Sequence, residues 1–247
     1  MSGYGAFSDD YYVNLNLGTE MELPRSRESV LHYFEQIRRR YPRMVNFYAR
    51  DKGEFVLEEE KDAGAYRWVS TEPKRINSGV VNPESLEDAF EQHRAVLELV
   101  PYELSVSPLD CESLSVMYGF DFTYKGNHNE ILCEAIGIPP GLERFAQVPG
   151  SKVLSNEPAI QIALDEECRT QCRVSFESRT GAFQVRTGEF IEDQLSVYFT
   201  VRRYESLGID ESYVGEFDRL ARLGSELVEG YLIEGVLRPL QQAISLR

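Results

Sequence analysis

Cysteine, histidine and long apolar runs are scarce in this 247-residue chain. Its four cysteines, Cys111, Cys133, Cys168 and Cys172, are too sparse for a disulfide framework, which fits a reducing compartment and thiols that are mostly buried. No apolar stretch approaches the ~20 residues that span a bilayer. The first residues offer neither a basic n-region nor an apolar h-region, so the expectation is a cytoplasmic protein without a membrane partner.

Chemistry-bearing motifs are also missing. There is no glycine-rich turn followed by lysine and serine or threonine, and no dinucleotide fingerprint, which disfavours nucleotide-dependent chemistry. The three histidines, His32, His93 and His128, lack a sequence-local nucleophile or carboxylate, so no triad or dyad is indicated and no catalytic residue is assigned. His93 falls on the inner stripe of a helix, where a hydrogen-bonded core histidine is expected. Cys168 and Cys172 are four apart, ~13 Å in a straight strand, too far to share a zinc ion. Neither a metal nor any other cofactor is expected.

Positive charge is in deficit. The net charge of −15 opposes nucleic acid and anionic lipid at long range. The densest basic cluster, Arg38-Arg39-Arg40 with Arg43, closes a predicted helix, where cations complement the macrodipole, so it is read as structural. The acidic runs Glu58-Glu59-Glu60 and Asp165-Glu166-Glu167 are read as solvated strand ends, because neighbouring strand residues face opposite ways.

What is present is alternation and a repeated phrase. Leu114-Ser115-Val116-Met117-Tyr118 returns as Leu195-Ser196-Val197-Tyr198-Phe199, 81 residues on, and each opens a strand followed by glycine and a helical pattern. Tyr11–Leu17 alternates as a half-buried strand. Ser26 caps a helix through Val30, Phe34 and Ile37 that Pro42 ends. Strands follow at Met44–Arg50, Glu54–Glu60 and Ala65–Thr71. Their connections, Asp51-Lys52-Gly53 and Lys61-Asp62-Ala63-Gly64, are short enough for antiparallel hairpins, each with a glycine able to take positive φ. Asn82-Pro83-Glu84 starts a second helix, with Leu86, Phe90, His93 and Leu97 inward. Strand Leu114–Tyr124 shows Tyr118, Phe120, Phe122 and Tyr124 on one face and Met117, Gly119, Asp121 and Thr123 on the other.

The stretch from Ile138 to Gly150 is the clearest break. Beyond it, strands are expected near Ala159–Asp165, Cys172–Ser178, Ala182–Thr187 and Gln194–Tyr204. A long helix then runs from Asp210 to about Ile244, where Gly224, Gly230, Gly235 and Pro239 point to a bend or to close approach of helix to sheet.

These elements resemble those of an uncharacterised, sporadically distributed family of bacterial proteins of about this length. The likeness lies in Tyr41-Pro42, Phe55-Val56-Leu57, the Phe90 helix, the Leu114–Tyr124 strand and Val197-Tyr198-Phe199 before a terminal helix. The resemblance implies no assigned activity, and no functional residues carry over from it.

The fold class expected is α+β: two pseudo-repeated, mainly antiparallel sheet halves with helices on the sheet faces and a long C-terminal helix. The divisions are an N-terminal half at 1–137, a Pro/Gly-rich connection at 138–151 and a C-terminal half at 152–247, packed as one unit. The leading functional expectation is a non-enzymatic binding or protein-interaction module, with a protein partner and a homodimer through a sheet edge or the terminal helix in view. The alternative is a carrier or enzyme for a small apolar ligand, with a tyrosine-rimmed cavity beneath the terminal helix, by analogy with helix-grip folds. Candidate ligand-binding residues are Tyr118, Phe120, Tyr124, Asp121 and Arg202. The repeat offset places Arg202 at the position matching Asp121 in the other half, and a pseudo-twofold relating the two strands would let them form an ion pair. Nucleic acid is not expected as a partner.

Overall fold

The computed structural model describes residues 3–24, 26–50, 53–62 and 64–247. Its strands are β1 (Asp10–Thr19), β2 (Asn46–Arg50), β3 (Glu54–Glu58), β4 (Tyr66–Glu72), β5 (Arg75–Val81), β6 (Cys111–Lys125), β7 (Ala159–Ala163), β8 (Thr170–Glu177) and β9 (Glu192–Tyr204). They form one nine-stranded antiparallel sheet in the order β2-β3-β4-β5-β1-β6-β9-β8-β7. The helices are α1 (Arg27–Arg40), α2 (Leu86–Glu103), α3 (His128–Ile136), the short α4 (Glu143–Ala146) and α5 (Ala182–Thr187), and α6 (Tyr213–Leu227), which continues through a π-helical stretch, Val228–Leu237, into α7 (Arg238–Ser245). Among the described residues, no helix is long and apolar enough to cross a membrane.

Alternation explains the layering. Val13, Leu15 and Leu17 of β1, Leu114, Val116, Tyr118, Phe120 and Phe122 of β6, and Val197, Phe199 and Val201 of β9 all point to one face and are buried. The longer helices cover that face, and each fully buried aliphatic or aromatic side chain contributes roughly 1.5–3 kcal/mol. Ser26 caps α1 by accepting from Ser29 N at 3.1 Å. Gly53 and Gly64 take positive φ, 81° and 73°, in the β2–β3 and β3–β4 connections. Asp51, Lys52 and Ala63 of those connections lie outside the described residues, as does Ser2.

The repeated phrase has a structural consequence at one place. β6 and β9 are neighbours, and their register pairs Tyr118 with Phe199, its own counterpart in the repeat. The surroundings differ, since six strands precede this pair's midpoint in sequence and three follow it. The sheet is continuous through both halves.

Other expectations are corrected. Strand β5 is an addition, hidden in the sequence because Asn77 and Ser78 interrupt its apolar pattern. Residues Ala182–Thr187 form helix, not strand: the Gln184 side chain accepts from Gly181 N at 2.7 Å and Gly188 closes the turn at φ 76°. Six residues with Phe183 and Val185 alternating cannot separate the two periods. The cap of α2 is Ser85, which accepts from Asp88 N at 3.1 Å. Asn82 instead takes φ 48° and ties β1 down, accepting from Tyr11 N at 3.0 Å and donating to Asp10 at 2.6 Å. In the terminal helix only Gly224 marks close approach: a Cβ there would lie 2.6 Å from the Tyr118 ring, whereas Gly230 and Gly235 face open space.

Polar groups under α2 are paired. Gln92 donates to Ser78 Oγ at 2.9 Å and to the carbonyls of Trp68 and Gly79, both at 3.2 Å. His93 is fully buried, with Nδ1 3.0 Å from Ser78 Oγ and Nε2 3.2 Å from the Val13 carbonyl. Burial holds its imidazole neutral down to about pH 3. The unfolded chain protonates the same ring near pH 6.5, so the unfolded state binds more protons between those values. Stability from this site is complete above pH 6.5 and falls by ~1.4 kcal/mol per unit as the pH drops below it. Denaturant titrations at pH 7.5 and 5.5 are expected to show that loss in the wild type and a shallower loss in His93→Gln; equal slopes would remove His93 as the cause.

Candidate functional site

The face of the sheet opposite the helices is rich in amides, aromatics and charged side chains. Hydrogen-bonded register stacks its side chains in rows across the strands. One row runs Asn77, Asn16, Ser115, Arg202 and Gln171, and the next Trp68, Gly79, Asn14, Met117, Thr200 and Arg173. A third row carries Tyr66, Tyr12, Gly119 and Tyr198, and a fourth Asp10, Asp121, Ser196 and Glu177. Two glycines give the surface its relief. A Cβ on Gly79 would lie 2.2 Å from Trp68 Nε1, and one on Gly119 would lie 2.1 Å from the Tyr12 ring, so each aromatic lies flat across a glycine of the neighbouring strand.

Two depressions on this face share a wall. One, of about 340 Å³, is lined by Asn14, Asn16, Trp68, Asn77, Ser115 and Arg202 among others. The second, of about 320 Å³, is lined by Met117, Gln171, Arg173, Tyr198, Arg202 and Tyr204 among others. Arg202 belongs to both. Its guanidinium sits 5.6 Å from the Tyr204 ring centroid and donates to Tyr204 Oη at 3.2 Å, while its Nε is buried without a hydrogen-bond partner. The Asn14 Oδ1 is likewise buried and unpartnered. Among the described residues, Arg75, Arg173 and Arg202 form no ion pair with a carboxylate, although all three lie on this face.

The other end of the face is acidic. Asp121 is nearly buried, and that burial raises its carboxyl above the usual range against the opposing pull of Ser196 and Arg179. Tyr12 donates to it at 3.5 Å, and Tyr198 donates to Glu177 at 2.6 Å. Arg179 donates to Ser196 Oγ at 2.9 Å.

The five sequence candidates divide between the two faces. Tyr118 and Phe120 are 1% and 0% exposed beneath the helices, and Tyr118 donates to the Ala221 carbonyl at 2.9 Å with Ser225 Oγ at 3.2 Å. Tyr124 is half-buried and packs against His128 of α3, ring centroids 6.1 Å apart. The tyrosine-rimmed cavity expected from these three is thus filled by side chains, because Gly224 lets α6 settle onto Tyr118. Asp121 and Arg202 do share the open face, but not as a pair. Asp121 lies opposite Ser196 and Arg202 opposite Ser115. The six residues between these rows amount to ~20 Å along the strands. The pairing inferred from the repeat fails because its antiparallel partners run in opposite directions from Tyr118 and Phe199.

The remaining motifs settle into structural positions. Arg40 pairs with Glu98 at 2.7 Å and Arg43 with Glu59 at 3.2 Å. Asp165 accepts from Arg169 N and Thr170 N at 2.8 and 2.7 Å in the β7–β8 turn, where exposed Cys168 has φ 57°, and Cys172 is buried within β8. Among the described residues, no three His, Cys, Asp or Glu side chains gather closely enough to hold a metal ion. The three histidines lie in α1, α2 and α3, away from the open face, so its serines and threonines have no imidazole beside them. The arrangement offers hydrogen bonds, stacking and charge.

Trp68, Tyr12, Asn14, Asn77, Thr200 and Arg173 were not singled out from the sequence. The signal was the polar half of each alternation, which Asn14 and Asn16 in β1 and Met117 and Asp121 in β6 already show. The chain matches no protein-family model and no curated protein.

Trp68 is the only tryptophan, so its emission reports on this face. Gly79→Ala is expected to lift the indole and shift its emission to the red, at a cost of about 1–3 kcal/mol from the crowding. Gly119→Ala, which displaces Tyr12, leaves the emission unchanged. Identical spectra for wild type and Gly79→Ala would contradict the stacking.

Proposed function

We propose that this protein is a non-enzymatic interaction module that takes an extended, acidic segment of a partner protein across its helix-free sheet face. The carrying observation is the imbalance at Arg202. In a chain of net charge −15, Arg75, Arg173 and Arg202 lack carboxylate partners among the described residues, and a buried Arg202 Nε and a buried Asn14 Oδ1 stand unpartnered in the same depression. Arginines without a carboxylate partner form their strongest hydrogen bonds with carboxylates, and the amide side chains of Asn16, Asn77 and Gln171 in the row of Arg202 can donate to and accept from a peptide backbone. An extended polypeptide supplies both. Its repeat of ~3.3 Å per residue lets about six residues span the ~20 Å from the arginine rows to Asp121. Trp68, Tyr12 and Tyr198 add flat apolar surface at low entropic cost, as aromatic side chains do in binding faces. The packed state of Tyr118 and Phe120 supports this reading over a small-molecule cavity beneath the terminal helix.

The test is selection from a library of short random peptides on immobilised wild-type protein and on a variant with Arg75, Arg173 and Arg202 all changed to Gln. Wild type is expected to enrich acidic sequences that quench Trp68, and the variant to lose them at least about tenfold while melting within a few degrees of wild type, since these side chains are not core. Absence of enrichment, or enrichment indifferent to the three arginines, would sink the proposal.

A further inference from the structure

The last strand at one edge of the sheet, β7, is Ala159-Ile160-Gln161-Ile162-Ala163, a segment that reads the same in both directions. All five residues are exposed, Ile160 by 58% and Ile162 by 48%. Sheet edges are ordinarily blunted by charge, proline, a bulge or a covering element. Within β7 there is no charged residue and no proline, and its pairing with β8 is regular. At the opposite edge, β2 is protected: Arg50 lies on it, ion-paired to Glu54.

The ladder fixes which backbone groups of β7 are free. Leu164 N donates to the Thr170 carbonyl at 2.8 Å, so the alternation of an antiparallel pair turns the N–H and C=O of Ile160 and Ile162 towards β8. Those of Ala159, Gln161 and Ala163 point away from the sheet. From this geometry we infer that β7 pairs with β7 of a second copy about a two-fold axis at Gln161. On that axis Gln161 faces Gln161 of the other copy, and Ala159 faces Ala163. These are the residues with free N–H and C=O groups, so every outward group meets a partner. Ile160 then stands opposite Ile162 in the close, non-hydrogen-bonded position, and the isoleucines of both copies gather on one side of the joined sheet. A two-fold interface requires self-complementarity, and the reversible sequence supplies it. The two open faces end on the same side of one continuous sheet. This inference does not rest on the three arginines of the proposed peptide site, although Gln161 also lines the second depression.

Charge sets the salt dependence. Both copies carry −15, and the axis brings Glu157 opposite Asp165 of the other copy, just beyond the strand. Glu157 already accepts from Ser178 N at 2.5 Å and Asp165 from two turn amides, so neither is free to move far. Association should therefore tighten as salt screens the repulsion.

The test is sedimentation equilibrium of the full chain from low to high micromolar concentration, at low and high salt. The expected result is a dimer, twice 28.3 kDa, strengthened by salt. Gln161→Pro removes an outward N–H and the side-chain bond to Gln171 but no backbone N–H of the β8 ladder, and Ile160→Lys charges the exposed patch. Each is expected to weaken association at least about tenfold with an unchanged melting temperature. Hydrogen exchange on the wild type gives a readout that needs no variant: the amides of Gln161 and Ala163 should become protected as concentration rises. A monomer at every concentration, a dimer indifferent to both variants, or fast exchange at Gln161 in the dimer would each overturn the inference.

Discussion

Everything else in this molecule hangs on the thirteen-pair ladder between β6 and β9. It joins the two stretches of chain on either side of the irregular region 138–158 into one sheet, and its register decides which side chain of each strand faces the helices. A slip of one residue would send Tyr118, Phe120, Val197 and Phe199 into solvent and bring Asp121 and Arg202 under α6, so the hydrophobic pattern pins it strongly. Tyr118 is the point where ladder and helix layer meet. Its ring fills the gap left by Gly224, and its hydroxyl satisfies the Ala221 carbonyl and Ser225.

One-sided coverage follows from that alternation and divides the strands' labour. Residues turned to the helices are mainly apolar, and His93 and Gln92 of α2 pair with inward Ser78, while the Thr71 hydroxyl is buried without a partner. The Arg203–Glu216–Arg219 group belongs to the same side: Glu216 is buried, 3.4 Å from Arg203 and 2.7 Å from Arg219, so α6 is tied to β9 by charge as well as by packing. Residues turned away carry amides, tyrosines, a tryptophan and arginines without carboxylate partners. The contrast between the two faces matters, because a buried charge must be paired whereas a half-exposed one can await a ligand. On the helix side Arg67, Arg203 and Arg219 are neutralised by Asp88 and Glu216, whereas on the open side Arg75, Arg173 and Arg202 have no carboxylate partner among the described residues.

The unprotected edge and the open face belong to the same sheet and share Gln161. Growth of the sheet through β7 would extend the open face without altering its rows, since β7 contributes only Gln161 and its alanine neighbours to that side. The proposed binding face and the proposed self-pairing edge therefore meet at β7, the first relying on side-chain charge and the second on backbone hydrogen bonds and isoleucine.

By itself the sequence determined the strands with clean alternation, the capped helix after Ser26, the inward stripe of α2 and the single-faced aromatic row of β6. Each is written in local periodicity, and a period of two or 3.6 is a property of neighbouring residues. It also placed Asp121 on the face away from that row. Only the tertiary structure decided that Ala182–Thr187 is helical, that β5 exists around Ser78, and that Gly224 closes the space over Tyr118. These depend on partners distant in the chain: the α2 side chains that satisfy Ser78, and the helix that meets Tyr118. The same holds for the site. Arg202 and Asn14 are far apart in sequence, and only strand register sets them in one depression, because the order of strands in a sheet is chosen by long-range pairing and not by any pattern within a strand.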